Sequence, residues 1–291
     1  MFSEIQNDIN NIISNRDMGA SQLAKAAIEV IEKYVTTYNT HSIDDLNSKL
    51  SHLCDHLTTL RPSMIAISNR VREFQKRSQQ IKLQDIEHYK KQLITLCHQI
   101  ITESQNAKSN IYNFASHIIK KQKTFMLHSF SSTLQHVFNM KKSKKIFVTE
   151  SRPLCEGVTL AESLNQIGHH VTLITDMESG TFIPQCDSVW VGADTFFTDG
   201  TVINKMGTFI LSLLAKYNNI PFYVVTEWDK RTPSTYNHHH LHLEEKPGSE
   251  VYTGSANFNI KNIYFDITPP QNITQFITEK GVFTPSELTT L

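Results

Sequence analysis

The segment VGADTFFTDGTVINKMGT, residues 191–208, brings an acid and a base close together in the chain: Asp194 at the end of a strand-like run, then Asn204-Lys205 after a turn at Gly200. A carboxylate and an ammonium sharing one crevice could hold a small anion and move protons on it. Backbone N–H groups at a helix start favour an anion, and an adjacent lysine adds a full positive charge; the segment is therefore read with Asn204-Lys205 opening a helix. The blander reading is an Asx turn and an N-cap with a solvated lysine. Three further segments pair an arginine with a turn or helix start: Arg16 with Gly19-Ala20-Ser21, Arg61-Pro62-Ser63, and Glu150-Ser151-Arg152-Pro153. The planar guanidinium suits phosphate oxygens, glycine permits close backbone approach, and proline fixes the turn. Each alone reads as a cap or a surface ion pair. With Lys205 they describe a pocket for a small phosphorylated ligand, provided the helical half closes over the sheet's carboxyl edge.

Other clusters are read as inert. Asn237-His238-His239-His240-Leu241-His242 has no carboxylate or cysteine at a ligand spacing, so it reads as a solvated loop rather than a metal site. Lys141-Lys142-Ser143-Lys144-Lys145 reads as a solvated helix end entering a strand, its cations complementing the dipole. Cys54, Cys97, Cys155 and Cys186 lack CxxC spacing, which argues against a zinc ribbon, a redox motif or a dense disulfide framework and fits a reducing compartment. Neither GxGxxG nor GxxxxGK[ST] occurs, so the usual dinucleotide and P-loop cradles are missing. No metal or cofactor is expected.

The elements that must position these residues fall into two groups. From Met1 to about Lys123 apolar residues recur at helical spacing: Phe2, Ile5, Ile9, Ile12, Ile13, then Leu23, Ala26, Ala27, Val30 and Ile31. The stretch from Ile81 to Ile118 contains no proline and predicts one long helix. After Lys123, the runs FMLHS, KIFVTE, HHVTLIT, SVWVGAD and IPFYVVT alternate with amphipathic stretches at Gly157 to Ile167 and Asn204 to Tyr217. That alternation predicts an α/β fold, a parallel sheet with crossover helices, whose ligand crevice lies beyond the strands' carboxyl ends at Ser129, Glu150, Asp176, Asp194 and Glu227. The division expected is a helical N-terminal domain over residues 1–123 and a Rossmann-like ligand-binding domain over residues 124–291.

The chain's 291 residues carry 28 Lys+Arg and 28 Asp+Glu, no formal net charge, which removes nucleic acid and acidic membrane as default partners. The start lacks a signal peptide's basic and apolar regions, and the longest strongly apolar stretch, near Phe209 to Ala215, is far short of a membrane span. A cytoplasmic protein is expected.

Several motifs together resemble a known family: RPSM at Arg61 to Met64, ESRPLCEG at Glu150 to Gly157, VGAD and INKMGT within Val191 to Thr208, IPFYVV at Ile220 to Val225, FDITPP at Phe265 to Pro270, and ITEKGVFTPSEL at Ile277 to Leu288. The chain is similar to the alpha, beta and delta subunits of translation initiation factor 2B and to the related isomerases of methylthioribose 1-phosphate and ribose 1,5-bisphosphate. The resemblance implies a helical domain packed on a Rossmann-like domain, a phosphorylated sugar or nucleotide in the cleft, and a homodimer formed mainly through the C-terminal domain, with other protein partners left open. By matching positions it implies ligand binding by Arg61, Arg152, Asn204 and Lys205, with Gly19 and Ala20 facing phosphate. In the family's isomerases a cysteine after the first sheet strand and an aspartate in VGAD carry the reaction. Asp194 matches the aspartate, whereas the cysteine position holds Ser129. A thiol is readily tuned to a thiolate, while a serine hydroxyl needs an adjacent base, and His128 should point to the opposite face of the strand. The reading preferred at this point is a binding protein of the factor 2B alpha type with a regulatory or assembly role. The alternative is an aldose–ketose isomerase in which Asp194 works with water or Ser129. Guanine-nucleotide exchange by this chain alone has little support.

Overall fold

The computed structural model describes residues 4–15, 18–139, 142–232, 243, 245–256 and 258–290. Arg16, Lys141, Pro233-Ser234 and the run from Asn237 to His242 lie outside the described residues. The chain divides into two compact units, Met1–Asn106 and Ala107–Leu291.

The first unit is helical. It holds α1 (Gln6–Ser14), α2 (Ala20–Thr37), α3 (Ile43–Thr58), α4 (Ile65–Ser78) and the first part of α5 (Ile86–Ile119). The helical spacing in the sequence puts Leu23, Ala27, Ile31 and Val35 of α2 on one buried face, which packs against α4. Ser42 caps α3 by accepting from Asp45 N, and Asp85 does the same for α5 through His88 N. With no proline inside it, α5 runs unbroken for 34 residues.

The second unit is a mostly parallel sheet with helices. Its strands are β1 (Thr124–His128), β2 (Lys145–Thr149), β3 (His170–Ile174), β4 (Ser188–Val191), β5 (Thr195–Phe196), β6 (Val202–Lys205), β7 (Phe222–Val225), β8 (Phe265–Thr268), β9 (Gln275–Thr278) and β10 (Gly281–Phe283). Between them come α6 (Ser132–Phe138), α7 (Glu156–Gln166), α8 (Ser179–Phe182) and α9 (Thr208–Tyr217), and α10 (Pro285–Leu288) follows. Seven strands form the main sheet in the order β10-β9-β7-β4-β1-β2-β3, parallel except for β10. The central β1, β4 and β7 are buried and read as continuous apolar runs, as strands covered on both faces must. Phe125, Phe138 and Trp190 meet edge to face within this core. A separate antiparallel sheet, β5-β6-β8, adjoins the loop after β4.

From β1 the chain winds outward through β2 and β3, then returns to lay β4 on the other side of β1. The carboxyl ends of β1 and β4 therefore flank the topological switch point, where open α/β sheets bind ligands.

Two local expectations need correction. Asn204 and Lys205 do not start a helix; they end β6, paired with Asp266 and Phe265 of β8, and the helix begins at Thr208 after Gly207. Lys144 is not solvated: it is buried, and its Nζ donates to the carbonyls of Ile119 and Gln122 at the end of α5.

Candidate functional site

The loops after β1 and β2 are held in backbone conformations that side chains rarely adopt: φ is 60° at Ser129, 64° at Ser151 and 58° at Cys155. Such residues gather where surrounding bonds over-determine them. Ser129 N donates to Ser151 Oγ at 2.9 Å, while the carboxylate of Asp176, after β3, accepts from Ser151 N and Arg152 N, both at 2.8 Å. Asp176 therefore fixes the turn from which Arg152 projects. Gly157, opening α7, sits so close to β2 that a Cβ there would lie 1.8 Å from the Thr149 carbonyl oxygen. Only glycine lets α7 start this near the strand end.

His128 is locked rather than catalytic. Its Nε2 lies 3.0 Å from the Met206 carbonyl, which can only accept, so Nε2 carries the proton and Nδ1 accepts from the Thr149 hydroxyl at 2.6 Å. Burial pushes its pKa down to about 4, keeping the ring neutral. Both ring nitrogens are committed to partners other than Ser129 Oγ, in agreement with the alternation of side chains along β1.

The anion at the start of α9 belongs to the protein. Asp266 Oδ2 accepts from Gly207 N at 2.8 Å and Phe209 N at 3.0 Å, capping the helix from β8. Burial raises the Asp266 pKa to about 6, against the lowering effect of those two N–H groups. Lys205 is ion-paired with Glu156 Oε1 at 2.8 Å, and its ammonium sits 4.3 Å from the Tyr264 ring centroid. Glu156 Oε2 is buried with no hydrogen-bond partner among the described residues. Asn204, beside it, donates to Thr208 Oγ1 at 3.0 Å.

Asp194 follows β4, its N–H bonded to the Ile203 carbonyl at 3.0 Å. The charges near it come from the turn after β7. Lys230 Nζ lies 3.2 Å from Glu227 Oε2, both side chains are nearly or fully buried, and Thr133 donates to Glu227 Oε1 at 2.7 Å. Burial alone would raise Glu227, but Lys230, Thr133 and Lys108 outweigh it and hold the carboxyl down to about 2. Burial would lower the Lys230 ammonium, but Glu227 foremost, then Asp194 and Asp229, raise it above its ordinary value. Lys230 and Thr133 went unnoticed in the sequence. The only signal was the TEWDK run after a β-rich segment, which reads as an ordinary loop.

Of the remaining candidates, Arg152 is exposed and its Nη2 donates to the Val251 carbonyl at 3.2 Å. In the first unit, Gly19 caps α2 and Ala20 opens it, buried. Gly19 has φ −74° and open space where a Cβ would stand, so nothing described around it demands glycine. Arg61 is buried, its Nη1 donating to the carbonyls of Asn15 at 3.2 Å and Ile12 at 3.4 Å at the end of α1. Among the described residues no group of three or more histidine, cysteine or carboxylate side chains could hold a metal, and no helix is long and apolar enough to cross a membrane.

The second unit thus places Ser129, Arg152, Asp194, Asn204 and Lys205 on segments at or beside the sheet's carboxyl edge. The chain is 29% identical over 274 residues to a ribose 1,5-bisphosphate isomerase of Methanocaldococcus jannaschii, covering 92% of this chain and 87% of that protein. It is 27% identical over 305 residues to a methylthioribose-1-phosphate isomerase of Acetivibrio thermocellus, covering 98% and 88%. Among solved structures, a translation initiation factor eIF-2B from Pyrococcus horikoshii superposes with a TM-score of 0.85 at 27% identity, covering 98% of both chains. Residues 16–285 match the initiation factor 2 subunit family as a whole, and the chain belongs to that family, whose members named here include both eIF-2B-like proteins and sugar-phosphate isomerases.

Proposed function

We propose that this protein is an aldose–ketose isomerase of a sugar 1-phosphate, of the ribose 1,5-bisphosphate or methylthioribose 1-phosphate type. The observation that carries this reading is Asp194 just after β4, beside whose carboxyl end the strand order reverses, with the buried Lys230–Glu227 pair on the turn after the neighbouring β7. Buried, mutually compensated charges beside a ligand crevice are where acid–base chemistry concentrates. The sequence preference for a purely regulatory binder gives way here, because isomerases stand among the relatives and the carboxylate is retained with a charged partner.

In the reaction, the bond between carbon 1 and the ring oxygen breaks and the ring oxygen takes a proton. Hydrogen moves with its electron pair from carbon 2 to carbon 1. The carbon 2 hydroxyl gives up its proton, leaving the ketone. Asp194 accepts that proton; water or the Ser129 hydroxyl supplies the one taken by the ring oxygen, and the proton gained balances the proton lost. Lys230 stabilises the carboxylate that must receive it. Arg152 and Lys205 hold phosphate, and Asn204 and the orphan Glu156 Oε2 offer polar contacts to sugar hydroxyls. No metal or cofactor takes part in this scheme.

Incubation with ribose 1,5-bisphosphate and methylthioribose 1-phosphate, followed by carbon NMR, should show a ketose signal that Asp194→Asn abolishes. Equal turnover by Asp194→Asn would sink the assignment. A second reading, a binding protein without turnover, is favoured by Ser129, which stands where the resemblance to the isomerases implies a cysteine. Saturable binding with no ketose would establish it.

A further inference from the structure

Arg152 and Lys205 come from different elements, yet one stretch of chain touches the support of both. We propose that a strap, described at Gly248–Val251 and Asn262–Tyr264, sets the positions of these two cations, with Glu250 and Tyr264 as its positioning residues. The inference rests on the reading of Arg152 and Lys205 as ligand-binding groups.

The Lys205 side chain is 6% exposed, bounded by Glu156 Oε1 at 2.8 Å and by the Tyr264 ring, whose centroid is 4.3 Å from Nζ. An ammonium over an aromatic face is attracted by the ring quadrupole, and the more so when desolvated. The ring is itself held in place. Tyr264 OH donates to Glu250 Oε2, and Asn262 Nδ2 donates to the same oxygen at 2.8 Å and to the Pro247 carbonyl at 2.9 Å. The Tyr264 carbonyl accepts from Met206 N at 2.7 Å, tying the ring's own residue to the neighbour of Lys205.

Glu250 closes a short 3-10 turn, Gly248–Glu250, and the next residue, Val251, presents its carbonyl to Arg152 Nη2 at 3.2 Å. Adjacent residues of the strap therefore face the two cations: the Glu250 carboxylate supports the ring beneath Lys205, and the Val251 carbonyl holds Arg152. The carboxylate is shared by two donors and so resists displacement. A phosphate arriving at Arg152 competes with the Val251 carbonyl, while the Glu250–Tyr264 bond keeps Lys205 in place. The strap thereby ties the supports of both cations to one piece of chain.

The test measures affinity for ribose 1,5-bisphosphate and for methylthioribose 1-phosphate by calorimetry on the full chain, together with KM and kcat where turnover is seen. Lys205→Met and Arg152→Ala serve as reference variants. Tyr264→Leu, which loses the ring, should weaken binding roughly three- to thirtyfold. Tyr264→Phe, which keeps the ring and loses the bond to Glu250, should weaken it less, and Glu250→Gln should resemble Tyr264→Phe. The changes should appear in Kd and KM while kcat stays within about twofold, because none of these groups touches the reacting carbons. If the reference variants weaken binding but Tyr264→Leu and Tyr264→Phe, folded by circular dichroism, bind within twofold of the unaltered protein, the strap has no positioning role. If the reference variants bind normally, or the unaltered protein binds neither sugar, the ligand reading fails and the strap inference fails with it.

Discussion

Replacing Glu227 by glutamine removes the partner of a buried ammonium and leaves nearly everything else in place. The Lys230 side chain is 7% exposed, Glu227 is fully buried, and the two lie 3.2 Å apart. Removing one member of a buried pair strands the other charge and costs about 3–5 kcal/mol. The same ammonium, with the Thr133 hydroxyl, holds the Glu227 carboxyl below its ordinary value in the folded state. A loss of about 3 kcal/mol at pH 7 is expected for Glu227→Gln. Because the folded pKa is depressed, this stability is fully present above pH 4.5 and is lost as pH falls from 4.5 towards 2. The assay is urea unfolding followed by tryptophan fluorescence, since both tryptophans, Trp190 and Trp228, report on the second unit. The original protein should lose stability steeply below pH 4.5, and Glu227→Gln should lose less over the same range. A variant within about 1 kcal/mol of the original at pH 7, with a parallel pH profile, would refute the claim that this pair is a compensated buried charge.

Other consequences follow from single contacts. Ser129→Cys should raise ketose formation if the site is otherwise built for isomerisation, because a thiolate forms more readily than an alkoxide; no change in the rate would count against a dormant thiol chemistry at that position. Gly157→Ala should destabilise the second unit by more than about 3 kcal/mol, since the new methyl carbon would lie 1.8 Å from the Thr149 carbonyl oxygen and both α7 and β2 would have to move; urea unfolding measures it. In nitrogen NMR, His128 should appear as the Nε2–H tautomer and show no titration between pH 5 and 8, as burial holds its pKa at about 4. A titration midpoint near 6.5 would contradict its locked placement.

Much of the fold was legible because the signals were local. Parallel strands buried on both faces read as unbroken apolar runs, and FMLHS, KIFVTE and SVWVGAD lie where β1, β2 and β4 stand. The proline-free stretch from Ile81 to Ile118 holds α5, although the helix begins only at Ile86. The polar residues closing those runs mark the carboxyl edge of the sheet because strand direction follows from the alternation with helices.

The failures come from pairings distant in sequence. Asn204-Lys205 precede the helical pattern of FILSLLAKY so closely that the helix appears to start at them, yet β8, some sixty residues on, takes VINK into a sheet. The same strand supplies Asp266, which occupies the helix start that the sequence left free for a ligand anion. Lys144 looks like one of a solvated lysine run until the end of α5 offers it two carbonyls. Lys230 had no periodicity or motif to mark it; its burial and its ion pair with Glu227 arise only once the turn after β7 is folded.

The most direct test of the account is a crystal structure with ribose 1,5-bisphosphate bound. One phosphate should lie on Arg152 and Lys205 and the carbon 2 hydroxyl within hydrogen-bond reach of Asp194, with Lys230 still paired to Glu227. A sugar phosphate seated elsewhere, or one whose carbon 2 hydroxyl faces away from Asp194, would contradict it.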